Sequence, residues 1–356
     1  MLIFLLVMLL LLLAAVCVFF RPSTGAFVSK KDMAGYSEKT PYTDGERFTY
    51  PDEWKTFAAD DNITSSDKDP VPSSAVPVSS FCPDSRLSFS VTWLGHSSVL
   101  LKIGERYILT DPVFSERSSP FRRLGPKRFS KAPVRAEDLP YIDVLLLTHD
   151  HYDHLDMYTV KALSSKVGCF LVPLGVERHL IRRGIDRNRI KVLSWWEAAE
   201  LDGLTFCCCP SRHFSGRHLL DMNRTLFCSW MISSPYAKVF LSGDGSYGRH
   251  FREILSRYGS PDLAVMECGQ YDPRWHPSHM YPEESVIASS DIGATLVLPV
   301  HWGAFCLAPH PWDDPITRFL KQAEKTGLKV ITPLIGETAD LLHPELYTTR
   351  WWETVR

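Results

Sequence analysis

The chain has 356 residues, 45% hydrophobic and 22% charged, with a formal net charge of −2 and a pI near 6.7. That composition is globular, with length for one large domain or two modest ones. The near-neutral balance argues against a nucleic-acid binder working through bulk charge. The nine cysteines, three of them consecutive at Cys207–Cys209 and none in a C-x-x-C pair, argue against a disulfide framework.

Residues 1–20 are apolar throughout, without charge, Pro or Gly. About 20 such residues suffice to span a bilayer. No Lys or Arg precedes the run, so a membrane anchor or uncleaved signal is expected rather than a cleaved signal peptide. Arg21, Lys30 and Lys31 follow it, which places the body on the cytoplasmic side by the positive-inside tendency. Residues 21–86 are polar, with little apolar periodicity, and read as a loose arm or tether. The folded body is expected over 87–356. It opens with strands at Phe89–Leu94, Ser98–Ile103 and Arg106–Thr110, the last two joined by a hairpin turn at Gly104-Glu105. An apolar strand follows at Tyr141–Leu147. Further strands are expected near Cys169–Val172, Ile190–Leu193, Leu204–Cys209, Leu226–Ile232, Ala237–Leu241, Leu263–Glu267 and Thr295–Val300, with helices near Leu155–Ser165, Gly175–Ile181, Arg249–Tyr258, Pro282–Ser290 and Pro315–Thr326. The reading is a strand-rich α/β chain. Alternation along a strand sends adjacent cysteines to opposite faces, so Cys207–Cys209 reads as core.

The strongest chemical signal follows the strand at Tyr141–Leu147. Thr148-His149-Asp150-His151-Tyr152-Asp153-His154 packs three imidazoles and a carboxylate into an H-x-H-x-D-H pattern. Imidazole and carboxylate suit zinc and related divalent ions. His213, Asp244 and His301 each follow a later apolar strand, in settings with Gly or a turn. Counting donors, His149, His151 and His213 can serve one ion, Asp153, His154 and His301 a second, and Asp244 can bridge the two. An open position at each ion marks a catalytic rather than a structural site. Asp150 is a candidate to orient a neighbouring His from behind.

With these residues in place, the chain resembles the metallo-β-lactamase superfamily from about Leu87 onward. The resemblance implies an αββα four-layer sandwich with a dinuclear centre of two Zn²⁺, or other divalent ions such as Mn²⁺, at the edge of its two sheets. Trp93–Ser98, Leu109–Ser115, Leu147–Asp156, His279 before Pro282-Glu283-Glu284, and His301-Trp302-Gly303 are similar to the branch that hydrolyses N-acyl-phosphatidylethanolamine. That branch implies a membrane-associated phospholipase of the D type, releasing N-acylethanolamine and phosphatidic acid. It implies a catalytic set of Asp153, His279 and Asp111, with His279 near the substrate phosphate and Asp111 supporting the metal site. The uncharged span at 1–20 departs from the branch.

The loop from Ser115 to Lys131 interleaves basic residues with Phe114, Phe121 and Phe129. Arg122, Arg123, Lys127 and Arg128 are candidates to rest on an anionic lipid surface, and with His279 to contact substrate. The expected partners are a phospholipid substrate and a membrane, with no nucleic acid and with room for a homodimer. Two rivals stand beside this reading. One is a hydrolase of a soluble phospho-ester or lactone, like ascorbate-6-phosphate lactonase. The other is a nonenzymatic, membrane-tethered metal binder.

Overall fold

The computed structural model describes Met8 and residues 22–51, 71–218 and 220–355. The apolar segment 1–20, with the anchor expected there, lies outside the described residues except for Met8. Among the described residues no helix is long and apolar enough to cross a membrane.

Among the described residues, thirteen strands form two mixed sheets. The first contains β1 (Phe89–Trp93), β2 (Val99–Ile103), β3 (Arg106–Thr110), β4 (Ile142–Leu146), β5 (Val167–Pro173), β6 (Ile190–Leu193) and, at its far edge beside β1, β13 (Thr338–Asp340). The second contains β7 (Ala198–Leu201), β8 (Leu204–Cys209), β9 (Ser229–Ser233), β10 (Lys238–Leu241), β11 (Leu263–Glu267) and β12 (Val297–Val300), paired in that order. Among the described residues, six α-helices accompany them: α1 (Lys30–Ser37), α2 (Met157–Leu163), α3 (Glu177–Arg182), α4 (His250–Tyr258), α5 (Pro282–Asp291) and α6 (Asp314–Thr326).

Strand β4 explains the layering. Val144 and Leu146 join the core between the sheets, while Leu145 and Leu147 join a second core with Met157, Val160 and Leu163 of α2 and Leu180 of α3. A strand buried on both faces reads as a continuous apolar run, which is how it looks in sequence. On the opposite side, Val286 of α5 and Ile316, Phe319 and Ala323 of α6 cluster with β11 and β12. The order is therefore helix, sheet, sheet, helix. Cys207, Cys208 and Cys209 are all buried in β8.

Two departures from the sequence reading have clear causes. The expected strand at Leu226–Ile232 begins only at Ser229, because Leu226 and Cys228 donate their backbone N–H to Leu174 and Thr148 of the neighbouring sheet's loops. The larger correction concerns residues 22–50, expected as part of a loose arm. Val28, Met33, Tyr36 and Phe48 are buried in the main core. Ser29 and Asp32 form a capping box that starts α1. Tyr36 Oη donates to Glu177 (2.8 Å), and the N–H of Ala26 donates to His179 Nδ1 (2.9 Å). Single apolar residues set between polar ones gave no period to read.

Candidate metal centre

Strand polarity gathers the donors. β1, β3 and β4 run in one direction, since β2 is antiparallel to both β1 and β3, and β3 is parallel to β4. In the other sheet β8, β10, β11 and β12 share a direction by the same reasoning. Their carboxyl ends carry His96 after β1, Asp111 after β3, the His149–His154 motif after β4, His213 after β8, Asp244 after β10, Glu267 ending β11 and His301 after β12. Ligand sites at the carboxyl ends of strands are the rule in open α/β sheets. Gly243 sits at φ 58°, where a Cβ would lie 2.8 Å from Cys228 O and 2.9 Å from Thr148 Cβ, so only glycine lets Asp244 approach the motif.

Two clusters form, with Asp244 between them. In the first, His151 Nδ1 lies 2.9 Å from His149 Nε2 and 3.1 Å from His213 Nε2. In the second, Asp153 Oδ2 lies 2.9 Å from His96 Nε2, 3.3 Å from His301 Nε2 and 3.5 Å from His154 Nε2. Asp244 Oδ2 is 3.0 Å from His154 Nε2 and 3.2 Å from His301 Nε2, and 3.9 Å from the Nε2 atoms of both His149 and His213. His279 stacks on His301 with ring centroids 5.5 Å apart, and lies 4.9 Å from His213.

The outward nitrogens are held from behind. His213 Nδ1 donates to Ser278 O (2.8 Å) and His301 Nδ1 to Gly269 O (3.2 Å). A carbonyl only accepts, so both rings carry a proton on Nδ1, which leaves Nε2 as the nitrogen that could offer a lone pair to a cation. His154 Nδ1 meets Asp111 Oδ2 at 2.8 Å, and Asp111 also accepts from the backbone and hydroxyl of Thr148.

The charges fit a cation. Burial and the neighbouring His154, His151 and His213 hold His149 well below its usual pKa, and burial with His279 and His151 does the same to His213. Burial works against charge on His154, yet Asp244, Asp153 and Asp111 hold it well above. Burial likewise opposes charge on Asp244, and His154 and His301 nevertheless hold it well below the carboxylate range. Among the described residues, Asp244 Oδ1 is buried with no hydrogen-bond partner, and His154 Nε2, though 3.0 Å from Asp244 Oδ2, makes no well-aligned hydrogen bond. Converging lone pairs and an orphaned buried oxygen are what a divalent ion would satisfy.

Comparison with known proteins agrees. Residues 106–302 match the family described as "Beta-lactamase superfamily domain". The chain belongs to the β-lactamase superfamily. An uncharacterised protein of Mycobacterium tuberculosis is 43% identical over 272 residues, covering 74% of this chain and 71% of its own. A Caenorhabditis elegans protein named N-acyl-phosphatidylethanolamine-hydrolyzing phospholipase D 1 is 33% identical over 248 residues, covering 65% of this chain and 69% of its own. Among solved structures, the metallo hydrolase Igni18 from Ignicoccus hospitalis superposes with a TM-score of 0.56 at 20% identity, covering 70% of this chain and 97% of its own. The superfamily fold implies a divalent metal, and the His/Asp clusters are built to receive one.

The structure brings His149, His151, Asp153, His154, His213, Asp244 and His301 together, with His279 beside them and Asp111 behind His154. Two expectations need correction. Asp150 orients no clustered imidazole. It is buried against His179 Nε2 (3.1 Å) and the N–H of Gly216 (2.8 Å), and burial's upward push on its pKa is overcome by His179. Arg128 is not on the surface. It is buried, its guanidinium 4.8 Å above Phe305 and donating to Val113 O, whereas Arg122, Arg123 and Lys127 are exposed. Three residues went unweighed in the sequence: His96, Glu267 and His179. His96 follows a strand and a Gly, the same signal that marked His213, Asp244 and His301. Glu267 was read only as the last residue of a strand.

Proposed function

We propose that this protein is a zinc-dependent phosphodiesterase of the phospholipase D type, hydrolysing N-acyl-phosphatidylethanolamine to N-acylethanolamine and phosphatidic acid. The observation that carries the reading is the 33% identity to the Caenorhabditis elegans enzyme of that name over two thirds of its length. In this reading His149, His151 and His213 would hold one ion and Asp153, His154 and His301 the other, with Asp244 in reach of both sets of donors. Ions held there would supply Lewis-acid chemistry, lowering the pKa of water and screening the charge of phosphoryl oxygens. The protein's own groups do the rest. Asp111 keeps His154 with its Nδ1 occupied and its Nε2 inward. His279, whose ring lies beside those of His213 and His301, supplies a proton to the departing alkoxide oxygen. Arg122, Arg123 and Lys127, exposed on one loop, rest on the anionic lipid surface that presents the substrate.

The test is turnover of N-palmitoyl-phosphatidylethanolamine in mixed micelles by the full zinc-loaded chain, with Asp244→Ala as the blank. Release of phosphatidic acid and N-palmitoylethanolamine by the wild type alone is the expected result. Two ions bound without release would overturn the lipid substrate and move the activity to a soluble phospho-ester or lactone.

A further inference from the structure

Glu267 is a buried carboxylate at the end of β11 whose place the ligand count does not explain. Its Oε1 accepts from the N–H groups of Gly245 (3.0 Å) and Met280 (3.2 Å), which fixes the side chain in one orientation. Its Oε2 faces His279 Nδ1 at 3.2 Å. The ring of His279 is stacked parallel to His301, at an interplanar angle of 8°. Its Nδ1 is thus engaged on the protein side, and Nε2 is its one polar atom left for substrate. A histidine with a carboxylate behind one nitrogen and a reacting group before the other follows the logic of an oriented general acid.

We propose that Glu267 is a positioning residue for His279: it holds the neutral ring's proton on Nδ1, so that Nε2 is the atom that gains and gives the catalytic proton. This rests on the phosphodiesterase reading above. In the step it serves, an O–P bond forms from water and the P–O bond to the ethanolamide breaks. The electron pair of the broken bond stays on the departing oxygen, which takes the Nε2 proton. His279 is left neutral, with Nδ1–H on Glu267. It regains a proton from solvent, to which the attacking water has released its own. The net reaction consumes one water and needs no other reactant.

Glu267→Gln separates this role from a structural one. The amide oxygen can still accept from Gly245 and Met280, while the amide NH₂ turns a donor toward Nδ1 and moves the ring's proton to Nε2. Three measurements decide on the zinc-loaded full chain. Long-range ¹H–¹⁵N correlation of labelled histidines reads the tautomer directly: Nδ1–H is expected for His279 in the wild type and Nε2–H in E267Q. Turnover of N-palmitoyl-phosphatidylethanolamine, with its poor alkoxide leaving group, is expected to fall about 100- to 10,000-fold in kcat. Turnover of bis(p-nitrophenyl) phosphate, whose leaving group needs no proton, should stay within about threefold. Bound zinc should be unchanged. His279→Ala should give the same selective loss, with no further loss in the double variant. An Nε2–H tautomer in the wild type overturns the proposal, as does an equal loss on both esters. Loss of bound zinc in E267Q overturns it too, by making Glu267 a ligand. Should E267Q not fold, the wild-type tautomer and the leaving-group dependence of His279→Ala still decide. Absence of all phosphodiester turnover in the wild type would refute the enzymatic reading instead, and the tautomer would remain to judge Glu267.

Discussion

Arg217 ties the N-terminal segment to the loop that carries the His motif, and its removal should free that segment. The guanidinium is buried and makes four hydrogen bonds to carbonyls: Asp150 O (2.5 Å), Leu155 O (2.9 Å), Ser23 O (3.0 Å) and Thr24 O (3.0 Å). Two of these hold the metal-motif loop and two hold residues 23–24. A hydrogen bond to a charged group contributes about 1.5–3 kcal/mol. Arg217→Met keeps much of the apolar stem and deletes all four. The two bonds to Ser23 and Thr24 alone amount to about 3 kcal/mol at the low end of that range, or roughly two decades in an opening equilibrium. The amide of Ala26, which donates to His179 Nδ1, reports that opening. In hydrogen exchange it should exchange about 100-fold faster in Arg217→Met, while amides of β11, deep in the second sheet, change far less. Arg217→Lys, keeping the charge but not the fork, should fall between. An Ala26 amide that exchanges at the wild-type rate in Arg217→Met would refute the reasoning and show that the segment's other ties, such as Tyr36 to Glu177, Arg178 to Asp32 and the packing of Val28, Met33 and Phe48, hold it without the guanidinium.

Asp244→Ala should abolish turnover and bind fewer metal equivalents, because one carboxylate oxygen lies within 3.0–3.9 Å of four imidazoles; metal analysis after gel filtration checks this. Asp111→Asn should weaken metal affinity about 10- to 100-fold without unfolding, since an amide can no longer hold His154 as the carboxylate does; competition with a chelator of known affinity measures it. Burial raises the Asp32 pKa, but its hydrogen bonds with Ser29 and the charge of Arg178 more than reverse this, leaving a net downward shift. A depressed carboxylate stabilises above its unfolded value of about 3.9, and that support is lost as pH falls through the lower folded value. Exchange in α1 should therefore accelerate below about pH 4 in the wild type, and Asp32→Asn should show little further change there.

Most of the centre was legible because each donor sits where an apolar run stops. A strand buried on both faces must be apolar, so a His or Asp at its end stands out, as at Leu146 to His149 and Val300 to His301. Glu267 escaped because it lies inside the strand's own span, where period and burial say nothing about what its carboxylate faces. Asp150 misled for the opposite reason. It shares the motif's spacing, but its partners His179 and Arg217 are distant in sequence, and only the fold brings them to it. The edge strands β7 and β13 were missed because Ala198–Leu201 and Thr338–Asp340 are short and carry little apolar signal, as edge strands tend to. The packing of residues 22–50 depends on long-range pairs such as Tyr36 with Glu177, which no local pattern announces.

The backbone gives an independent argument for where the chemistry lies. His96, Asp111, Gln270 and His301 have φ of 53°, 43°, 60° and 70°. Each follows the carboxyl end of a strand at the same edge. A side chain in the left-handed region costs about 1–2 kcal/mol that glycine would avoid. Glycine cannot supply an imidazole or a carboxylate, so the strain persists where the side chain is needed. His96 and His301 meet at Asp153. Asp111 supports His154, and Gln270 braces the segment after His301 by accepting from the N–H groups of Leu307 and Ala308. Three of these strained residues, His96, Asp111 and His301, thus contact the same cluster of Asp153, His154 and Asp244. Stability alone would not select that arrangement, whereas holding donors at fixed angles around a cation would.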